Sequence, residues 1–251
     1  VIWCRKNFKS TIKSTEPIVI LVNAGNANAF TGKEGKLACQ RKATALSNLF
    51  NCNNSNIFFA STGVIGEPLQ VQKIINKLPV LKEYLGNNNF SSAAASILTT
   101  DTKTKICSTE FMINNHAVTI SGFAKGSGMI FPNMATMLAF VFTDYSIDKK
   151  TLTLLTKKAV NNSFNKISVD GDTSTSDSVF VASTRRAKFK KNKKDLNSFN
   201  DLFYQKLLAV MVDLAKSIVL DGEGAKKFIE IEVKKAKDKK SAREIAFSIA
   251  N

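Results

Sequence analysis

From Gly122 the chain reads GFAKGSGMIFPNMATMLAF, a loop with glycines at 122, 126 and 128, one lysine and one proline, running into the apolar segment Met137 to Phe142. This pattern sets Thr136 at the very start of a strand, a close-packed position. A threonine hydroxyl is a weak nucleophile and needs a base, and a free α-amino group on the same residue is one such base. That amine titrates near ~8, so much of it accepts a proton around neutral pH. An intact chain offers only an amide nitrogen at Thr136. The chemistry therefore requires the Ala135–Thr136 bond to break first, by attack of the Thr136 hydroxyl on the Ala135 carbonyl. Spacing alone does not separate Thr136 from the many threonines that fill β-strands.

Other reactive groups are few. The single histidine, His116, follows Asn114 and Asn115 between the alternating runs EFMI and AVTI, which predicts a residue beside a hairpin turn rather than a catalyst. Cys4, Cys39, Cys52 and Cys107 are far apart and form no CxxC pair, so free thiols are expected and no metal site. The loop VDGDTSTSD (Val169 to Asp177) has a superficial likeness to a calcium loop, but lacks the glycine at the sixth position and the closing glutamate. STGVIG reads as a glycine turn, and DGEG as a turn that ends a helix.

The elements that must hold these residues alternate between short apolar runs and amphipathic stretches. Strands are expected at Ile18 to Val22, Ile57 to Ala60, on both sides of Asn114, at Met137 to Phe142, at Ser178 to Ala182, and at Ile229 to Val233, where Glu230 and Glu232 supply the wet face. Helical spacing predicts helices over Gly35 to Phe50, around Val71 to Leu78, over Asn89 to Leu98, over Asp148 to Phe164 and over Leu202 to Leu220, with a helix-like AREIAFSIAN at the end. The mixture is an α/β or α+β layered fold.

At 251 residues and 44% hydrophobic content the chain can bury a sizeable core, which excludes global disorder. No apolar stretch is long enough to span a bilayer and the first residues lack a signal-peptide core, so a soluble cytoplasmic protein is expected, with no membrane partner. The net charge of +16 would suit nucleic acid, but the lysines are spread out. Only Arg185 to Lys194 and Lys234 to Lys240 form runs, with Phe189 as the one interleaved aromatic, so both read as solvated faces and no nucleic-acid partner is expected.

GFAKGSGMIFPNMATMLAF resembles the signature of the ornithine acetyltransferase family, the bifunctional glutamate N-acetyltransferases of arginine biosynthesis. The same family is resembled by LVNAGNANAFTG (Leu21 to Gly32), ASTGVIGEPL (Ala60 to Leu69), LTTDT (Leu98 to Thr102), VDGDTSTSD and DGEGAKKF (Asp221 to Phe228), in family order. The resemblance implies a layered α/β/β/α fold and self-cleavage between Ala135 and Thr136. Residues 1–135 would be the α-chain portion and 136–251 the β-chain portion, with Thr136 the acetyl-carrying nucleophile. It further implies that Thr62 and Gly63 form an oxyanion hole and that Thr99, Lys125, Thr136 and Glu223 contact substrate.

The implied reaction is ping-pong: N-acetylornithine acetylates Thr136, ornithine leaves, and glutamate becomes N-acetylglutamate. No cofactor is expected to be bound, acetyl-CoA being a possible co-substrate. The two fragments would stay associated and pair into a heterotetramer. Members of the family begin before Val1 and continue past AREIAFSIAN into a segment giving an asparagine and a hydroxyl residue to the site, so a fragment or a shortened member is expected. The alternatives are a self-cleaving amidohydrolase or aminopeptidase, with water replacing glutamate, and an inactive basic binding protein.

Overall fold

Apolar runs of β-branched and aromatic residues become strands here only where a neighbour pairs with them. The computed structural model describes residues 1–10, 16–86, 89–131, 137–187 and 195–251. These form two units, 1–99 and 100–251.

In the first unit, α1 (Ile2–Lys9) precedes β1 (Val19–Asn23), α2 (Gly32–Phe50), β2 (Ile57–Ser61), α3 (Val71–Glu83) and α4 (Phe90–Ser96). β1 and β2 lie parallel, Val19 opposite Ile57 and Asn23 opposite Ser61, with α2 as their crossover. Ala43, Leu46, Ile57, Phe59 and Leu78 are buried together. The buried face of α2 runs Gly35, Ala38, Lys42, Leu46, a helical stripe into which a lysine has entered. Lys42 is fully buried with its Nζ 4.5 Å from the Phe59 ring centroid, and burial lowers its pKa.

In the second unit, β3 (Lys105–Ile113), β4 (His116–Lys125), β5 (Leu138–Tyr145) and β6 (Ser178–Ala187) form one sheet in that order. The first three are antiparallel neighbours, and β6 joins β5 in parallel. Asn114 and Asn115, both at positive φ, make the β3–β4 turn, and the Nδ1 of His116 lies 2.8 Å from the Asn114 carbonyl. Helices α5 (Lys149–Asn161), α6 (Leu196–Leu220) and α7 (Lys239–Ala250) complete the unit. α6 packs on β3 and β4. Its buried residues Phe203, Leu207, Val210, Met211, Leu214 and Ile218 recur at helical spacing, each contributing about 1.5–3 kcal/mol by leaving water.

The central strand β5 has Leu138, Ala139, Phe140 and Val141 all essentially inaccessible. Its Phe140 stacks on Phe180 of β6 at 5.3 Å and meets Phe123 of β4 at 5.2 Å. The four cysteines are free thiols, and no helix among the described residues is long and apolar enough to cross a membrane.

One expected strand does not form: Ile229 to Val233 is irregular. Among the described residues no strand pairs with it, Ile229 is 73% exposed, and alternation without a partner strand leaves the ladder groups to water. Other expectations shift at their ends. The strand at 178 continues to Ala187, the last long helix begins at Leu196 rather than Leu202, and the helix after Asp148 ends at Asn161. The basic run from Lys188 to Lys194 lies outside the described residues.

Candidate active site

The glycine-rich loop leaves the sheet at Lys125, the last residue of β4, which pairs with Leu138, the first of β5. Carboxylates and backbone groups hold both described ends of the loop. The Gly126 N–H donates to Asp101 Oδ1 at 2.6 Å, and the Glu223 N–H to the Ser127 carbonyl at 2.8 Å. Asp170, in the VDGDTSTSD loop, accepts from the N–H groups of Met129 and Ile130, the latter at 2.8 Å. Asp170 thus serves as a clamp for backbone amides. At the far end the Met137 N–H donates to Asp177 Oδ1 at 2.8 Å, and its carbonyl accepts the Ser178 N–H at 3.0 Å. Ala135 and Thr136 lie outside the described residues.

Lys125 and Glu223 are brought to the same loop. Lys125 is buried and its ammonium lies 3.7 Å from Asp101 Oδ2; burial pulls its pKa down, against the attraction of Asp101. Glu223 is exposed, and its carboxyl occupies the space that a side chain at residue 128 would need, since a Cβ there would lie 2.9 Å from Glu223 Cδ.

Beneath the loop lies a charge network that the sequence reading missed. Lys105 Nζ bridges Asp101 Oδ1 at 2.7 Å and Asp221 Oδ2 at 2.5 Å, with all three side chains nearly inaccessible. Thr102 gives Asp221 its hydroxyl and, at 3.0 Å, its N–H. Burial alone would raise the Asp221 carboxyl, but the hydrogen bonds from Lys105 and Thr102 hold it down at about 2. Asp101 is likewise held below the usual range, against burial, by Lys105, the Gly126 N–H and Lys125. The missed signal was proximity in sequence: Asp101 stands two residues after Thr99 in LTTDT, and Asp221 two before Glu223 in DGEG.

Thr62 and Gly63 belong to the first unit, directly after β2. Their turn is laced to the asparagines of LVNAGNANAFTG. The Thr62 N–H donates to the Asn23 carbonyl at 3.1 Å, Asn23 Nδ2 to the Asn26 carbonyl at 2.8 Å, and Ser61 Oγ to Asn23 Oδ1 at 2.8 Å. Gly63 sits at φ +125°, where a Cβ would come within 2.6 Å of the Asn26 nitrogen, so only glycine lets the two backbones approach. The Thr62 N–H is thereby committed to the backbone of this turn. Thr99 is exposed and is the last residue of the first unit.

Among the described residues no group of three or more His, Cys, Asp or Glu side chains is placed to hold a metal ion. The compact units divide after Thr99, so both described flanks of the expected cleavage point, Phe131 and Met137, lie in the second unit.

The ArgJ family model matches residues 1–251. The chain is 43% identical over 256 residues to an arginine biosynthesis bifunctional protein ArgJ of Bradyrhizobium diazoefficiens, covering 99% of this chain and 60% of that protein. It is 44% identical over 236 residues to the protein of the same name from Bartonella quintana, covering 92% and 57%. A solved structure of such a protein from Bacillus halodurans is 31% identical, with a TM-score of 0.45 over 53% of this chain and 69% of that one. The chain thus spans about 60% of the length of the first of these relatives.

Proposed function

Because this chain belongs to the ArgJ family, we propose that it is the acetyl-transferring part of an enzyme that cuts itself between Ala135 and Thr136 and moves acetyl from N-acetylornithine to glutamate in arginine biosynthesis. The observation that carries the reading is the convergence of a buried cation, Lys125, and a carboxylate, Glu223, on the loop that leads to Thr136. An amino acid presents one carboxylate and one ammonium, and this pair answers both.

In the cut, the Thr136 hydroxyl adds to the Ala135 carbonyl and its proton passes to the departing nitrogen. Water then hydrolyses the ester, leaving a carboxylate at Ala135 and a free hydroxyl and amine at Thr136. In turnover that amine takes the hydroxyl proton as the oxygen attacks the acetyl carbonyl, and ornithine leaves with the proton. Glutamate's amine then accepts the acetyl group. Thr62 and Gly63 supply the donors for the tetrahedral oxyanion. Acetyl-CoA as a further donor, a heterotetramer of paired fragments and a cytoplasmic location belong to the same reading.

The deciding experiment is the intact mass of the full-length protein before and after incubation with N-acetylornithine. Two fragments, the second starting at Thr136 and gaining one acetyl group that glutamate discharges, are the expected result. A single uncut chain, or acetyl lost to water as fast with glutamate absent as present, would refute it.

Two variants test the supporting residues. Thr62→Ala should stay folded and transfer acetyl ~10²-fold more slowly, the usual loss for one oxyanion donor. Unchanged turnover would remove Thr62 from the site. Gly128→Ala pushes on the mobile end of an exposed glutamate, so its stability should change by no more than about 0.5 kcal/mol. Ornithine binding should weaken about ten- to a hundredfold, because a charge-assisted hydrogen bond to Glu223 is worth about 1.5–3 kcal/mol. Equal affinities by calorimetry would count against Glu223 as a ligand.

A further inference from the structure

Asp177 is 7% exposed and closes the VDGDTSTSD loop one residue before β6. Leu138, at the head of the central strand, has Lys125 as its partner on one side and Ser178 on the other. Lys125 and Asp177 therefore approach the start of β5 from its two neighbouring strands. One oxygen of Asp177 accepts the Met137 N–H at 2.8 Å. The other, Oδ2, is buried and has no hydrogen-bond partner among the described residues. A buried, unpaired carboxylate oxygen is costly, and its cost needs a reason.

The site chemistry supplies one. Met137 directly follows Thr136, and the α-nitrogen of any residue is three covalent bonds from the next amide nitrogen, hence no more than about 4.3 Å away. Resting on the acetyl-transfer reading above, we propose that Asp177 is a positioning residue for Thr136. One oxygen clamps the peptide that follows the nucleophile, and the other receives the ammonium group that cleavage creates. Burial pushes the Asp177 carboxyl up to about 7, against the pull of the Met137 N–H and of Lys125. A carboxyl so poised ionises readily when a new cation arrives beside it. Among the described residues the charged group facing it is Lys125, which in turn feels Asp101 and Lys105.

A carboxylate within about 4–6 Å of an ammonium raises its pKa by about 1–3 units. Asp177→Asn keeps an oxygen for the Met137 N–H and removes the charge. The Thr136 amine then loses its proton at lower pH. In the full-length cut enzyme the acidic limb of kcat/KM against pH should move down by about one unit or more, with kcat at the plateau reduced and the KM for N-acetylornithine little changed. A merely structural clamp would lower activity equally at every pH.

Asp177→Ser, which also lacks the charge, should show the same limb. Both variants folded but uncut would overturn it too, since Asp177 would then serve the cut and not the amine that follows it. A cut Asp177→Asn enzyme whose limb coincides with that of the wild type overturns the proposal, and so does unfolding of both variants by circular dichroism. A wild-type protein that neither cuts itself nor carries acetyl refutes instead the acetyl-transfer reading on which the proposal rests.

Discussion

Thr136→Ala will remain one chain and will lose acetyl transfer by ~10⁴-fold or more, the scale seen when a covalent nucleophile is removed. Two effects act together: no hydroxyl is present to attack the Ala135 carbonyl, and without the cut there is no amine to serve as base. Thr136→Ser separates them. Serine retains the hydroxyl and can still cut, but it lacks the methyl that restricts χ1, so both processing and transfer should be slower than in the wild type. The measurements are denaturing mass spectrometry for the cut and product formation from N-acetylornithine and glutamate for turnover. An uncut Thr136→Ala protein with full transfer activity would falsify the mechanism.

Lys105→Met will cost about 3–5 kcal/mol of stability, the range for removing one partner from a buried ion pair. Lys105 is the shared cation of Asp101 and Asp221, at 2.7 and 2.5 Å, and methionine fills its volume without its charge. Lys125 at 3.7 Å remains for Asp101, while Asp221 keeps only neutral donors, from Thr102 and the Lys103 N–H. The sign of the pH dependence follows from Asp221, whose pKa is depressed to about 2 in the folded protein. A depressed carboxylate contributes stability above its unfolded value, near 3.8, and that contribution is lost as pH falls through about 2. The gap between wild type and variant in urea titrations should therefore be full at pH 6 and close towards pH 2. A gap of the same size at both pH values would show that packing, not charge, accounts for the loss.

Much of the scaffold was legible because its signals are local. The apolar run after Thr136 could only be a central strand, and it is, flanked on both sides and buried on both faces. Asn114 and Asn115 announced their turn through the residue types that tolerate positive φ. Helices α2 and α6 followed from 3.6-residue spacing, with errors confined to their ends, where polar residues give the pattern no grip. The strand expected at Ile229 to Val233 failed for a non-local reason: alternation describes what a strand needs on its two faces but not whether an edge is available to pair with it.

The site divides in the same way. The sequence by itself determined the family, through long blocks in order, and with it the candidates Thr136, Lys125, Glu223, Thr62 and Gly63. Residue types alone could not have chosen Thr136. Only the tertiary structure showed that Asp101, Lys105, Asp177 and Asp221 are buried under the loop and that Lys42 lies inside the first unit, since charged residues are read as solvated until something covers them. Only the structure, too, showed that Asp177 reaches the amide next to Thr136 from forty residues away in the sequence. Such a contact is set by the parallel register of β5 and β6, in which Leu138 faces Ser178, and register is a relation between strands that neither strand carries alone.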